Sequence, residues 1–265
     1  MVLQYCKSGN LRDKLNRSGT YDKINHLFQI SRGLNDIHNA GKVHKDLHPG
    51  NILFHYNNSY ISDFGLCQPA NYNQQSSKKE GIYGVLPYIA PEVLCGYQYI
   101  KASDIYSFGI VMNEYLSEEI PYINIPHDYI LAVKICKGLR PKISEDLPKL
   151  FMDLIEKCWD IKSENRPTAK KLYQTLTEWH LDILYDKEDS KIYSQIKEYE
   201  KIRENKLEMN LSNENRSKNI QTHPQAIYTS RMLEFPELDL SSYKICKGNF
   251  CNSFNHIIII TNTFK

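Results

Sequence analysis

From Leu27 the apolar positions recur at Leu27, Ile30, Leu34 and Ile37, the stripe of an amphipathic helix, and Gly41 ends it. Ile52-Leu53-Phe54 and Tyr60-Ile61-Ser62 flank Asn57-Asn58, and because asparagine tolerates positive φ the pattern predicts a short β-hairpin. Behind Ser103, an expected N-cap, Ile105, Phe108, Met112, Tyr115 and Leu116 share one helical face and predict a buried central helix. Leu150, Leu154, Ile155 and Cys158 repeat that spacing, as do Leu172, Leu176 and Trp179 behind the cap Thr168. The chain to about His180 therefore reads as mainly α with one small hairpin.

The polar positions divide the rest. Gln68 to Lys79 has no period and predicts an exposed loop ahead of the apolar segment Gly84 to Pro91. Past Leu184 the composition turns charged, and Ile192, Ile196, Tyr199 and Ile202 predict one further helix before the polar stretch Asn210 to Asn219. These shifts place a boundary near 181–186, giving a domain over 1–183, a charged helical extension over 184–209 and a polar tail without expected structure over 210–265. The last twenty residues show neither strand nor helix period.

With 41% hydrophobic residues, a chain of 265 has material for one sizeable core. Its 33 basic and 31 acidic residues leave a charge of +2, too even a balance to point to nucleic acid or an anionic membrane as partner. Seven cysteines without a C-x-x-C pair form no disulfide framework or zinc pattern, which fits a reducing cytoplasm. The first residues lack the basic and apolar regions of a secretory leader, and the longest aliphatic run, Ile257 to Ile260, is far below the ~20 residues of a spanning helix.

The chemistry concentrates in His44-Lys45-Asp46-Leu47-His48-Pro49-Gly50-Asn51. A carboxylate with an amide five residues on suits phosphoryl transfer: Asp46 can orient a hydroxyl and take its proton, and the amide oxygen of Asn51 is a hard ligand for magnesium. The bland alternative is a polar turn in which both residues cap backbone groups. The segment resembles the protein-kinase catalytic loop H-R-D-L-x-x-x-N. Asp63-Phe64-Gly65, Ala90-Pro91-Glu92, Asp104 in Asp104-Ile105-Tyr106-Ser107-Phe108-Gly109, and Arg166 follow in that family's order and spacing. The resemblance runs from Leu3 to about Trp179 and is nearest to the tyrosine-kinase-like branch.

It implies a protein-kinase-like C-lobe, helical with a small β-hairpin, acting on ATP and Mg2+ with a protein hydroxyl as acceptor. Asp46 would be the base, flanked by Lys45 and His48 in the catalytic loop, and Asn51 and Asp63 the metal ligands. Leu3 would be the gatekeeper, Gln4 and Cys6 would offer backbone groups to adenine, and Leu53 would floor its pocket. Glu92 and Arg166 would form a buried ion pair, with Asp104 opening the central helix.

No G-x-G-x-x-G or V-A-I-K is present, so the expectation is a C-lobe with its N-lobe absent, weak in catalysis alone, with apolar surface near Leu3 and Leu53 that another protein could cover. Lys45 stands where the family usually has an arginine that clamps a loop phosphate, and lysine offers no bidentate fork; this predicts weak dependence on phosphorylation at Ser76, Ser77 or Tyr83. His48 and Val85 replace the lysine and threonine usual in serine/threonine kinases, leaving the acceptor open between Ser/Thr and Tyr. The Asp46-to-Asn51 words also resemble small-molecule phosphotransferases, and a non-catalytic scaffold is a further alternative. A metal pair at His44 and His48 lacks a third ligand, and no P-loop sequence is present.

Overall fold

Helix α1, Thr20–Asn39, presents Ile24, Leu27, Ile30 and Leu34 to the core, each at most 1% exposed, while Ile37 at the end of the stripe is half-buried. The helix stops as expected, with Ala40 as C-cap and Gly41 in the left-handed region at φ 72°. The computed structural model describes residues 6–15, 18–70, 81–211 and 222–234, with backbone alone for 206–211. After α1 comes the short strand β1, Lys42–Val43, then the loop carrying Asp46, then the hairpin of β2, Ile52–His55, and β3, Asn58–Ile61, paired from Ile52↔Ile61 to His55↔Asn58. Its positive φ falls on Tyr56, at 55°, one residue before the expected asparagines. On the other side of β2, the Ser8 amide donates to Phe54 O at 3.2 Å and the Leu11 amide to Ile52 O at 2.9 Å, so the amino-terminal stretch runs along the hairpin.

Strand β4, Gln68–Pro69, pairs antiparallel with β1, and β5, Ile82–Gly84, leads into the apolar segment before α2, Pro91–Leu94. Helix α3, Lys101–Ser117, is buried at every position from Ser103 to Leu116, so it packs on all sides rather than on one face. Ser103 is not its N-cap: Ile100 is, and the Ser103 hydroxyl accepts from the Ile100 amide at 3.3 Å and donates to Glu92 at 2.8 Å. Helix α4, Tyr129–Cys136, packs on α2; α5, Lys149–Cys158, packs on α3; and α6, Ala169–Leu184, capped by the Thr168 hydroxyl, packs on α1. The approach of α3 to α5 depends on Gly109, where an added Cβ would lie 2.7 Å from Cys158 Cβ. Phe151 meets Trp179 edge-on with centroids 4.9 Å apart, and Phe28 of α1 stacks on His180 of α6 at 4.9 Å.

Composition places a break at 181–186, yet the turn there is closed by Asp182, which accepts from Lys187 and Ser190 at 2.8 and 2.7 Å, and one compact unit continues to Glu234. Helix α7, Lys191–Leu211, buries Ile192 and Ile196. Arg203 of α7 donates at 2.7 Å to Glu118, which also receives the buried Lys23 ammonium at 2.6 Å. Residues 222–234, within the tail expected to lack structure, fold back and end in β6, Arg231–Leu233, antiparallel to β5. The loop over 71–80 with Ser76 and Ser77, the Asn210 to Asn219 stretch beyond 211, and the last twenty residues lie outside the described residues, as do Leu3 and Gln4. Among the described residues no helix is long and apolar enough to cross a membrane.

His26 joins three elements: on α1, it shares a 2.7 Å hydrogen bond with the Tyr115 hydroxyl of α3 and meets Phe54 of β2 edge-on. Burial pulls its pKa from the ordinary 6.5 down to about 4. The unfolded chain therefore binds a proton below 6.5 that the folded chain refuses, so stability is full above 6.5 and falls as pH drops towards 4, by about 3 kcal/mol for this group. Urea unfolding at pH 7 and pH 4.5 should show that loss, and His26→Gln should make the difference smaller.

Candidate active site

The loop between β1 and β2 is built on one buried carboxylate. Asp104, at the start of α3 and 1% exposed, accepts from the His44 amide at 2.8 Å, the Lys45 amide at 3.0 Å and His38 Nε2 at 2.8 Å. Lys45 sits at φ 75°, a left-handed conformation costing a lysine about 1–2 kcal/mol. Charge-assisted hydrogen bonds from two successive amides offset that cost, because each is worth about 1.5–3 kcal/mol. The reversal carries the chain from β1 into the turn that presents Asp46.

Asp46 is 6% exposed, and the Asn51 side-chain amide donates to its carbonyl at 2.9 Å and its carboxylate at 3.2 Å. His48 Nδ1 accepts from the Gly50 amide at 3.1 Å, which assigns the proton of a neutral ring to Nε2, 3.7 Å from Asp46 Oδ2. Burial pushes the Asp46 carboxyl up, but His48, then Ser230 and His44, outweigh it and hold the group below the usual aspartate value. Gly50 is required by contact: a Cβ there would lie 2.8 Å from the His48 ring.

Asp63 also stands at a left-handed φ, 60°, and caps the following turn by accepting from the Gly65 amide at 3.2 Å. His44 ties this segment to the loop: its Nδ1 accepts from the Asp46 amide at 3.3 Å and its Nε2 bonds to Ser62 O at 3.0 Å, so neither nitrogen is left to join His48 on a metal. Asn51 and Asp63 both line an open cleft of about 390 Å3, with His48, Gly50, Tyr228 and Ser230. The Asn51 amide nitrogen is spent on Asp46, which leaves its side-chain oxygen for a cation. That oxygen and the Asp63 carboxylate are the hard donors a magnesium ion takes beside phosphate oxygens, so the residues fit such an ion.

Lys45 donates to Gln68 at 3.0 Å and lies over the Tyr99 ring. Cys6 and Leu53 are half-buried, and Leu53 bridges to Asn10. Arg166 holds Glu92 through two bonds of 2.7 and 2.8 Å, and adds the carbonyls of Ala102 and Asp160 at 2.9 and 2.8 Å. Burial pushes Glu92 up, but Arg166 prevails and its pKa is lowered.

Two features of the site went unseen in the sequence. Arg12 donates at 2.7 Å to the Tyr88 hydroxyl, which itself donates to the fully buried Glu114; burial keeps that carboxyl above the usual glutamate value against the pull of Arg12. Nothing in the spacing of positions 12, 88 and 114 signals this triad. The second is the stretch around Ser230 on the cleft wall, for which the run of hydroxyls Tyr228-Thr229-Ser230 was the only sign.

The family model for protein tyrosine and serine/threonine kinases matches residues 1–176. Among curated proteins, a serine/threonine-protein kinase/receptor of Acanthamoeba polyphaga mimivirus is 34% identical over 184 residues, covering 66% of this chain and 11% of its own length. The serine/threonine-protein kinase gdt2 of Dictyostelium discoideum is 32% identical, with 71% of this chain and 12% of its own covered. A protein kinase and PP2C-like domain-containing protein of Arabidopsis thaliana is 30% identical, with 62% and 30% covered. The chain thus spans about a tenth of the first of these relatives.

Asp104→Asn would put an amide donor against one of the N–H groups the carboxylate now accepts. We expect a loss of about 2–4 kcal/mol in urea unfolding. Amide exchange should accelerate at His44 and Lys45 before the rest of α3 opens.

Proposed function

The chain belongs to the protein tyrosine and serine/threonine kinase family, and on that premise we propose that its described helices and hairpin form the carboxyl-terminal lobe of a kinase transferring the terminal phosphoryl group of ATP to a protein hydroxyl. The observation that carries this is that Asn51 and Asp63 line one cleft while the Asn51 amide holds Asp46 behind it, the whole supported by the Asp104 clasp and the His44 bridge.

Asp46 is the group that orients the acceptor hydroxyl. Its low pKa keeps it ionised at neutral pH, so it accepts a hydrogen bond from the hydroxyl and takes the proton late, as suits a loose transition state in which positioning matters more than basicity. Asn51 and Asp63 would hold a magnesium ion, which when bound neutralises charge on the phosphate oxygens. Asn51 has a second task, since its amide fixes the rotamer of Asp46. His48 Nε2 adds a donor toward Asp46 on the same side. Cys6, Leu53, Leu3 and Gln4 are the proposed adenine contacts, with the gatekeeper at Leu3. The names of the relatives favour serine or threonine as acceptor over tyrosine.

Lys45, paired with Gln68 and set over Tyr99, is in this reading a single-point cation rather than a phosphate clamp. The protein is proposed to be cytoplasmic, with signalling proteins as substrates.

Asp46→Asn keeps the Asn51 contact possible but removes the base. Incorporation of labelled phosphate from Mg·ATP into a mixed protein acceptor should fall by about 100-fold or more, with the urea midpoint little changed. Asp63→Asn should instead raise the magnesium concentration needed for half-maximal rate. Phosphate incorporation indifferent to Asp46→Asn would refute the proposal.

A further inference from the structure

The groove beside Asp46 already holds a peptide, and the peptide is the chain's own. Strand β6 pairs with β5 in the register Ile82↔Leu233, Tyr83↔Met232 and Gly84↔Arg231. That edge leads straight to the candidate base, for a Cβ on Gly84 would lie 3.4 Å from Asp46 Oδ1. The residues before β6 are fastened on the far side of the site. The His223 amide donates to Ile123 O at 2.8 Å, and Gln225 O accepts from the His127 amide at 3.0 Å. His127 Nδ1 bonds Ile227 O at 2.9 Å, and Arg231 reaches His127 O at 3.1 Å.

Two side chains fill pockets. The Tyr228 ring lies 4.4 Å under the Arg12 guanidinium and its hydroxyl donates to Pro121 O at 2.6 Å, while Leu233 is 7% exposed. Between them the Ser230 hydroxyl is buried without a hydrogen-bond partner, an unfavourable state for a polar group. Ser230 directly precedes Arg231, the partner of Gly84, so the strand register sets it beside Asp46 without a hydrogen bond to the carboxylate. An orphaned hydroxyl beside a carboxylate, on a segment anchored at both ends, is the arrangement of an acceptor awaiting the group it will receive.

We infer that residues 222–234 are a self-docked acceptor segment, and that the groove takes extended peptides with an aromatic residue two before a serine and an aliphatic residue three after it. The inference rests on the phosphotransferase reading. Tyr228 is not the acceptor, because its hydroxyl is committed to Pro121 O, and of its two hydroxyl neighbours Thr229 is exposed whereas the Ser230 hydroxyl is buried without a partner. In the step, Ser230 Oγ forms a bond to the terminal phosphorus of a nucleoside triphosphate as the bond to the bridging oxygen breaks. The nucleoside diphosphate leaves, and the hydroxyl proton passes to Asp46 and then to water. While docked, the segment also keeps outside peptides from the groove, through main-chain pairing with β5 and the two filled pockets.

The test uses a fluorescein-labelled peptide with the sequence of residues 222–234 and the full chain in three forms: unaltered, Leu233→Asp and Tyr228→Ala. The two variants loosen different anchors of the segment, so one serves if the other fails to fold. At least one folded variant should bind the peptide about tenfold or more tightly than the unaltered chain, because its own segment no longer competes. Equal binding to all forms, or binding to none, overturns the inference. With Mg·ATP the released variant should place phosphate on the peptide's Ser230 and not on its Ser230→Ala twin. If all forms phosphorylate a mixed Ser/Thr/Tyr peptide pool equally, the docking inference falls while the phosphotransferase reading stands. If the labelled peptide binds only the released variants and no phosphate moves to any peptide, docking stands and that reading falls.

Discussion

Asp104 sits where the central helix meets the loop it supports. Two successive amides, one of them on a residue in a left-handed conformation, point at one buried carboxylate that is also held by His38 from α1. Bonds to an ionised acceptor in a poorly screened interior are strong enough to hold a backbone reversal that lysine would not adopt unaided. Because Asp104 belongs to a helix buried at every position from Ser103 to Leu116, the loop that presents Asp46 is fastened directly to the core. His44 then passes that position on to the Asp63 segment through Ser62 O.

The helices were legible because each buries a stripe or carries a cap that short-range rules describe: Thr168 accepts from the Lys171 amide, and Leu27, Ile30 and Leu34 reach the core. The misreadings are also local in cause. Ser103 has the chemistry of an N-cap but is drawn to Glu92, a partner eleven residues earlier, so the cap moves back to Ile100. The hairpin forms where expected, yet Tyr56 takes the positive φ, because the register His55↔Asn58 fixes the turn one residue early and pairing outweighs the preference of asparagine.

Asp46, Asn51 and Asp63 could be singled out from the sequence as candidates, since they are oxygen-bearing side chains at the spacing of compact motifs. The Arg12–Tyr88–Glu114 triad and the segment ending in β6 could not. The hydrogen bonds that hold them join residues 26 to 107 positions apart, and no period of two or 3.6 extends over such distances. The polar composition that made 222–234 look unstructured also reflects how it is held, by carbonyls and amides of the chain body more than by apolar side chains.

The pairing of β5 with β6 has a colloidal side. Within its sheet β5 has β6 as its partner, and it is a short strand with an exposed tyrosine at its centre. A chain that lifted β6 away would bare a row of unpaired backbone groups beside Tyr83, the kind of edge that recruits strands from other molecules. The same contact that fills the groove therefore also covers the β5 edge, and opening the groove without baring that edge requires that an incoming peptide replace the departing strand in the same motion.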